Sequence, residues 1–446
     1  NVGGSYALVF FAPTYRGMEN MVNFRTEMVM MPKKSKYNFV INSYPIDVIK
    51  DLSEQREKLR EITGTKGPDP KQCIDVFRKY LLLFYGYAFR PRNGERNPLY
   101  TTLTATKKDV ILSKLNTLIN YHWKPLTESI KGSGAVNRPV PSGLYEFSNV
   151  LFNLGVAELN EAHELMNKDQ DKSTSRKLAF QMCREAAGTF SYLETLVKPF
   201  ERVDYIPFDL KQAKVFSLLA LLQAQEIAIQ LSIDTHKNIE TIIGLSQHAS
   251  ILANQARTLW KSADSMTQNA FWKALNSYFA YKFLYYQLQA RFAHLEKIKE
   301  VTNTSTAYQE CVKLQRESQT LHNINATFQA SYYRKSGKAK MEAQIAYFED
   351  QIKRKLEQLK FISQNMGSRE RTMNAPDMVK PIAYAKETPF NLAIGTYWSL
   401  KDYNLMTVPI PETTLEGDIV QQNDDEVDSG PTIDPNKAKV FDYRSI

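Results

Sequence analysis

Few residues in this chain have the type and spacing to do chemistry. Glu161, His163 and Glu164 fall in one helical run and offer two carboxylates and an imidazole, the parts of a metal site or an acid–base pair. At nearly consecutive helical positions His163 points away from Glu161, so the three share no common site. His122, His236, His248, His294 and His322 are scattered, and each reads as a surface or satisfied histidine rather than a ligand or base. Gly132-Ser-Gly134 has the glycines of a phosphate loop without the Lys-Ser/Thr or the preceding strand that such a loop needs. No HExxH, Walker A or GxSxG pattern occurs. Cys73, Cys183 and Cys311 lie far apart with no CxxC pair, which is no disulfide framework and suits a reducing compartment. The expectation is a non-enzymatic protein without metal or cofactor. That leaves binding.

The elements that would build a binding surface centre on residues 144–245. Leu144 to Leu159, Phe180 to Phe190, Leu221 to Ile229 and Ile242 to Leu245 each place apolar residues three and four apart, with Ala and Gly among the large ones. Small residues at that spacing let helices approach closely, so a packed helical solenoid is expected. Around this centre the apolar spacing predicts helices over Ile46–Thr63, Lys71–Ala88, Lys107–Ser129, Gly143–Met166, Arg176–Leu196, Leu210–Asp234, Lys237–Ser262, Ser265–Val301, Tyr308–Leu321 and Ser336–Asn365. A short strand pair or capping loop is expected between Met31 and Tyr44, and a basic loop over Arg90–Leu103. The aromatic run with Phe271, Trp272, Tyr278, Tyr281, Tyr285 and Phe292 reads as core. From Met366 the helical spacing stops, and Pro376, Pro381, Pro389, Pro409 and Pro411 predict an extended segment returning over the helices.

Composition fits one elongated all-α domain, with 43% apolar and 11% aromatic residues among 446. There is no run of 18 or more apolar residues, and Ala7–Ala12 is too short for a span and lacks a basic flank, so neither span nor signal peptide is expected. Asn303 and Asn325 head glycosylation sequons, which carry no weight in a chain read this way. Net charge is +9, unevenly placed. Residues 412–434 hold eight acids and no base, and 435–446 carry +2, which leaves +15 on residues 1–411. A basic body with an acidic tail suits an acidic partner, such as an anionic membrane surface or an acidic protein polymer like a tubulin wall; nucleic acid is not expected.

The motifs Val150-Leu-Phe-Asn153, Ala186-Ala-Gly-Thr-Phe-Ser-Tyr-Leu193 and Leu222-Gln-Ala-Gln-Glu226 occur in that order. In type and order they resemble the "VLFN", "AAG.F..L" and "AQAQE" helices of the Bro domain family. Gln225-Glu-Ile-Ala-Ile229 and Met378-Val-Lys-Pro-Ile382 bring the chain nearest to the Brox branch. The resemblance spans about Met31 to Pro411. It divides the chain into an N-terminal extension (1–30), a Bro domain (31–411) and an acidic tail (412–446). It implies a banana-shaped all-α solenoid with a tetratricopeptide-like core. It also implies binding of the C-terminal amphipathic helix of a Snf-class ESCRT-III subunit, in the cytoplasm at the endosomal membrane; a cytoskeletal rod on an acidic polymer is the alternative. The positions matching the family's apolar docking patch are Ile229, Ile242 and Leu245, with Ile243 beside them. Some family features are absent. The acidic residue expected near the end of the VLFN helix falls around Lys168, with Asp169 and Asp171 beside it. Phe361-Ile-Ser363 lacks the family's regulatory tyrosine, and Tyr443-Arg-Ser-Ile446 offers no cysteine for prenylation.

Overall fold

The computed structural model describes residues 46–64, 68–91, 110–112, 121, 142–167, 172–198, 210–235, 237–261, 270–301, 304–332, 335–365 and 378–392. The described chain is all-α apart from one small strand pair. Its helices are α1 (Ile46–Gly64), α2 (Pro70–Ala88), α3 (Gly143–Asn167), α4 (Lys172–Val197), α5 (Leu210–Asp234), α6 (Ile239–Lys261), α7 (Ala270–Val301), α8 (Thr304–Tyr332) and α9 (Lys335–Asn365). Strands β1 (Phe89–Pro91) and β2 (Val110–Leu112) pair antiparallel, with Arg90 opposite Ile111. Residues 378–392 form an extended strap without helix or strand. Among the described residues, one compact unit takes 162–184 and 218–387; the other takes 46–161, 185–217 and 388–392.

Most helix ends agree with the apolar spacing to within a turn, and three differences have physical causes. Val110–Leu112 is strand, not helix. Two β-branched residues followed by Leu lose little in a pleated pair, and Pro91 is tolerated opposite because it closes an edge strand. Helix α8 runs well beyond Leu321. Its buried stripe is Leu314, Ser318, Leu321 and Asn325, and the two polar members hide the continuing period from a search for apolar residues. Helix α4 starts at Lys172, a turn before the first apolar signal. The predicted N-terminal extension, the strand pair or capping loop of 31–44, the Arg90–Leu103 loop beyond Pro91 (Arg90 and Pro91 being strand), Lys168 to Asp171 and the acidic tail lie outside the described residues.

Helix α5 is the central core element. From Gln212 to Gln230 every residue except Lys214 is buried, so α5 is enclosed on all sides rather than presenting one face to water. Within Lys211–Asp234, an 18-residue window is long and apolar enough to cross a membrane, at a mean hydropathy of 1.4. With 83% of that window buried inside the fold, it reads as a core helix.

In the first unit, α6 packs on α7, α7 on α8 and α8 on α9. The aromatic run of α7 is core at Tyr278, Tyr281 and Tyr285, as its spacing suggested, and half-buried at Phe292; the side chains of Phe271 and Trp272 lie outside the described residues. Tyr278, Tyr281 and Tyr285 are buried, Tyr281 stacks on Tyr285 at 5.8 Å, and Phe348 of α9 meets Tyr285 and Phe292 at 6.0 and 5.7 Å. The second unit has its own aromatic centre, where Phe152 lies 5.1 Å from Phe190 and 4.8 Å from Phe216. Gly155 makes this possible: a Cβ there would sit 2.7 Å from the Phe190 ring. Close helix approach through small residues is what the sequence implied.

Candidate functional site

The glutamines and glutamate of α5 are buried, and one of them, Gln225, meets the strap. Gln225, fully buried, donates from Nε2 to the carbonyls of Leu245 (3.1 Å) and Ile382 (2.8 Å), while its Oε1 accepts from the Ala385 amide (3.0 Å). One side chain thus clamps α6 and the strap together and satisfies three backbone groups that would otherwise be stranded. The strap comes in close at Gly244, where Ile382 N–H donates to the Gly244 carbonyl at 2.8 Å. A Cβ at Gly244 would stand 2.6 Å from the Ile382 side chain and 2.9 Å from the Lys380 carbonyl, so any larger residue would force the strap to shift.

Next to this clamp, Glu226 pairs with Lys282 of α7 at 2.7 Å, both side chains with no solvent exposure. Tyr286 donates its hydroxyl to the same Glu226 oxygen at 2.8 Å, and Lys282 lies over the rings of Tyr278 and Tyr286. Burial pushes the Glu226 pKa up and the Lys282 pKa down, against their mutual attraction. The second Glu226 oxygen has no hydrogen-bond partner among the described residues. Such a closed pair fixes which helices meet rather than supplying much net stability. Cys183 lies within the electrostatic reach of Glu226, and burial raises its thiol far above the usual range.

The second unit holds a related arrangement. Arg78 of α2 donates to Glu158 of α3 at 2.8 Å, and Thr189 of α4 donates to the other Glu158 oxygen at 2.7 Å. Burial raises the Glu158 carboxyl to about 7 despite Arg78 and Thr189, with Glu185 adding to the rise. Arg78 also reaches the strap: it donates to the Asn391 carbonyl at 3.1 Å and lies 5.7 Å over the Phe390 ring. Phe390 stacks on Tyr192 at 5.0 Å. Deeper in, Arg56 and Tyr80 converge on the fully buried Glu146 at 2.9 and 2.8 Å.

The four residues expected to form an exposed docking stripe are all buried. Ile229 is 1% exposed, Ile242 7%, Ile243 0% and Leu245 2%. Ile243 packs with Ala290 and Ala293 of α7, and Val379 of the strap and Ile239 close over that cluster. They line the interior because α6 turns its polar side outward: Glu240, Asn254 and Thr258 are exposed, and Gln247 and Ile251 half-exposed. An apolar stripe shared with a binding family and an apolar stripe shared with a core look alike in sequence.

The remaining candidate groups are dispersed. Glu161 is half-buried, His163 buried and Glu164 exposed, so the three do not converge. His248 is buried and held down to about 4 by burial, His294 is buried, and His322 pairs with Glu349 at 3.0 Å; His122 and His236 lie outside the described residues. Burial lifts Cys73 and Cys311 to about 12. Sequence reasoning passed over Arg78, Glu158 and Lys282, whose partners lie 31 positions away or more, and no local signal marks them.

Comparison with known proteins agrees with this architecture. The family model described as "BRO1-like domain" matches residues 103–365. The chain belongs to that family. Among solved structures, the Bro domain of the "ALIX BRO1 CHMP4C complex" is 18% identical with a TM-score of 0.56, over 83% of this chain and 97% of that one. ALIX bound to the SIVmac239 PYKEVTEDL late domain is 17% identical with a TM-score of 0.59, and this chain spans half its length. The structure titled "Structure basis for endosomal targeting by the Bro1 domain" is 12% identical with a TM-score of 0.55, over 85% of this chain and 90% of that one. No curated protein sequence matches. These likenesses support the Bro helical fold, in which the AQAQE-type motif of this chain acts as the strap's anchor.

Proposed function

We propose that the chain is a non-enzymatic adaptor whose Bro domain, residues 31–411, binds the C-terminal amphipathic helix of a Snf-class ESCRT-III subunit beside the endosomal membrane. The observation that carries this reading is the Bro fold itself, matched along nearly the whole of a Bro domain described in complex with CHMP4C. A packed helical scaffold with a strap pinned at Ile382, Ala385 and Phe390 offers rigid faces for such a helix, and no catalytic groups converge among the described residues. The +15 borne by residues 1–411 supports a peripheral contact with anionic lipid, worth ~1 kcal/mol for each lysine or arginine near the surface. Ile229, Ile242, Ile243 and Leu245 enter the proposal as the packed layer that shapes the α5–α6 face, with Ile242 nearest the surface.

The test is a fluorescence-anisotropy titration of a labelled peptide from the C-terminal helix of an ESCRT-III subunit. Saturable binding by the full chain is expected. Ile242→Ala should weaken it while circular dichroism holds, with a stability loss of about 2–4 kcal/mol from the cavity. Unchanged affinity in Ile242→Ala would remove the α5–α6 face from the site. No binding by the unmodified chain would end the ESCRT-III reading.

A further inference from the structure

The described surface has one place where exposed apolar side chains and uncompensated cations coincide. On α4, Leu178 is 50% exposed beside the exposed Lys177; on the strap, Tyr384 is 60% exposed and two residues before the exposed Lys386. These parts are joined. Tyr384 packs on Phe180 of α4 at 5.5 Å, Arg184 lies 5.6 Å over the same Phe180 ring, and Arg184 Nε donates to the Lys386 carbonyl at 2.6 Å. Gln181, one turn from Lys177, accepts from Arg184 at 3.2 Å. Lys380 is exposed four residues upstream of Tyr384. The adjoining acid on the strap is Glu387, so the face is net positive. The other strongly exposed aromatic, Phe361 at 68%, sits differently: Glu349, Asp350 and Glu357 interleave with the α9 cations, and Arg354 pairs with Asp350 at 2.8 Å.

We propose that the acidic segment 412–434 of this same chain docks on the α4–strap face around Lys177, Arg184, Tyr384 and Lys386. The segment is complementary in both respects. It carries eight acids and no base, and Leu415, Ile419 and Val420 lie among the first of them. The tether suffices: 22 residues lie between Leu392 and Leu415, and each can span roughly 3.3 Å or more when extended. Attachment to the same chain raises the segment's effective concentration to about the millimolar range, so weak surface pairs add up to occupancy. Because those pairs face water, the contact must weaken as salt shortens the Debye length.

The experiment is carbodiimide cross-linking of carboxylates to lysines in the full chain, mapped by mass spectrometry, with equal parts isotopically light and heavy protein. At about 0.05 M salt, residues 412–434 should link to Lys177, Lys380 and Lys386 within one chain, and at about 0.5 M those yields should fall several-fold. The variant Leu178→Asp/Tyr384→Asp keeps every lysine and changes two exposed side chains, so the fold should persist and the links should be lost. Any of three results overturns the proposal: links spread evenly over Lys313, Lys353 and Lys360 as well, light–heavy links predominating, or yields in the variant equal to those of the unmodified chain.

Discussion

The first half of the strap rests on a neutral amide, Gln225, and the second half on a guanidinium, Arg78. The acid–base pairs behind them differ in the same sense. Glu226–Lys282 has both side chains sealed from water, while Glu158–Arg78 joins a sealed carboxylate to a cation that is 32% exposed. In the first unit the Glu226–Lys282 pair is locked inside, and Ile382 and Ala385 of the strap are held by neutral hydrogen bonds from Gln225, with the half-exposed Arg184 adding a bond to the Lys386 carbonyl. In the second, the group that holds the strap is itself half of an ion pair that water can reach. Anchoring at Gln225 should therefore ignore salt and pH, and anchoring at Arg78 should not.

The sharpest way to break the comparison is to remove one cation from each pair. Lys282→Met leaves Glu226 sealed and unpaired and is expected to cost about 3–5 kcal/mol in urea unfolding. Arg78→Met should cost much less, ~1–2 kcal/mol, because water already reaches that site. Replacing both partners, Glu226→Leu with Lys282→Met, should recover most of the loss. Equal costs for the two single variants would show that solvent access does not separate the pairs.

The glycines under the strap make the next contrast. A Cβ at Gly188 would lie 1.7 Å from the Thr388 carbonyl oxygen, a backbone atom with little freedom. At Gly244 the first collision, at 2.6 Å, is with the Ile382 side chain, which can change rotamer, although the Lys380 carbonyl follows at 2.9 Å. Gly188→Ala should destabilise by about 3 kcal/mol and Gly244→Ala by about 1–2 kcal/mol, read from chemical unfolding. The reverse order would mean that the second half of the strap is the more adaptable one.

Gln225→Ala tests the neutral clamp directly. It strands the Ile382 and Leu245 carbonyls and the Ala385 amide, for an expected loss of about 2 kcal/mol. Hydrogen exchange should speed up at Ala385, by the same factor at low and high salt. Arg78→Met should leave exchange at Ala385 unchanged.

These contrasts also show what a reader of the sequence can and cannot see. Helices α1, α2, α5 and α9 are written in local apolar spacing, and their predicted ends fall within one or two residues of the observed ones. The extended strap is equally legible, because Pro381 and Pro389 forbid a continuing helix. The family itself is carried by three short motifs. What those motifs do is another matter. Gln225 contacts residues 157 and 160 positions away, and nothing near it in sequence says that it faces inward. Gly188 and Gly244 look like costly residues inside helices until the strap is laid over them. Ile229, Ile242, Ile243 and Leu245 show the same limit from the other side: apolar type at helical spacing is common to docking stripes and cores, and only the neighbours decide. Burial of Asn325 likewise argues against sugar at its sequon in the folded chain.

The smallest effect, and the one most specific to the second half of the strap, is its pH dependence. Glu158 titrates at about 7 in the fold against an ordinary carboxylate value of 4.5, so the folded chain binds that proton more tightly than the unfolded one. Its contribution to stability is therefore greatest below pH 4.5 and is lost as pH rises toward 7. His248 acts in the opposite direction. Burial holds it near 4 against 6.5, so the stability it contributes is present above 6.5 and lost as pH falls toward 4. Their slopes partly cancel in the unmodified chain, which makes a raw pH profile uninformative about either. Glu158→Gln isolates one of them: the amide fills the same space without titrating. Relative to this variant, the unmodified chain should lose about 1–2 kcal/mol between pH 5 and pH 7.5, measured by urea unfolding at matched ionic strength. Hydrogen exchange at the strap's second half should differ between the two proteins over the same window, while exchange at Ala385 should not. A pH difference that appears equally in both halves would mean that the strap moves as one piece, and that the neutral clamp at Gln225 and the charged one at Arg78 are not independent.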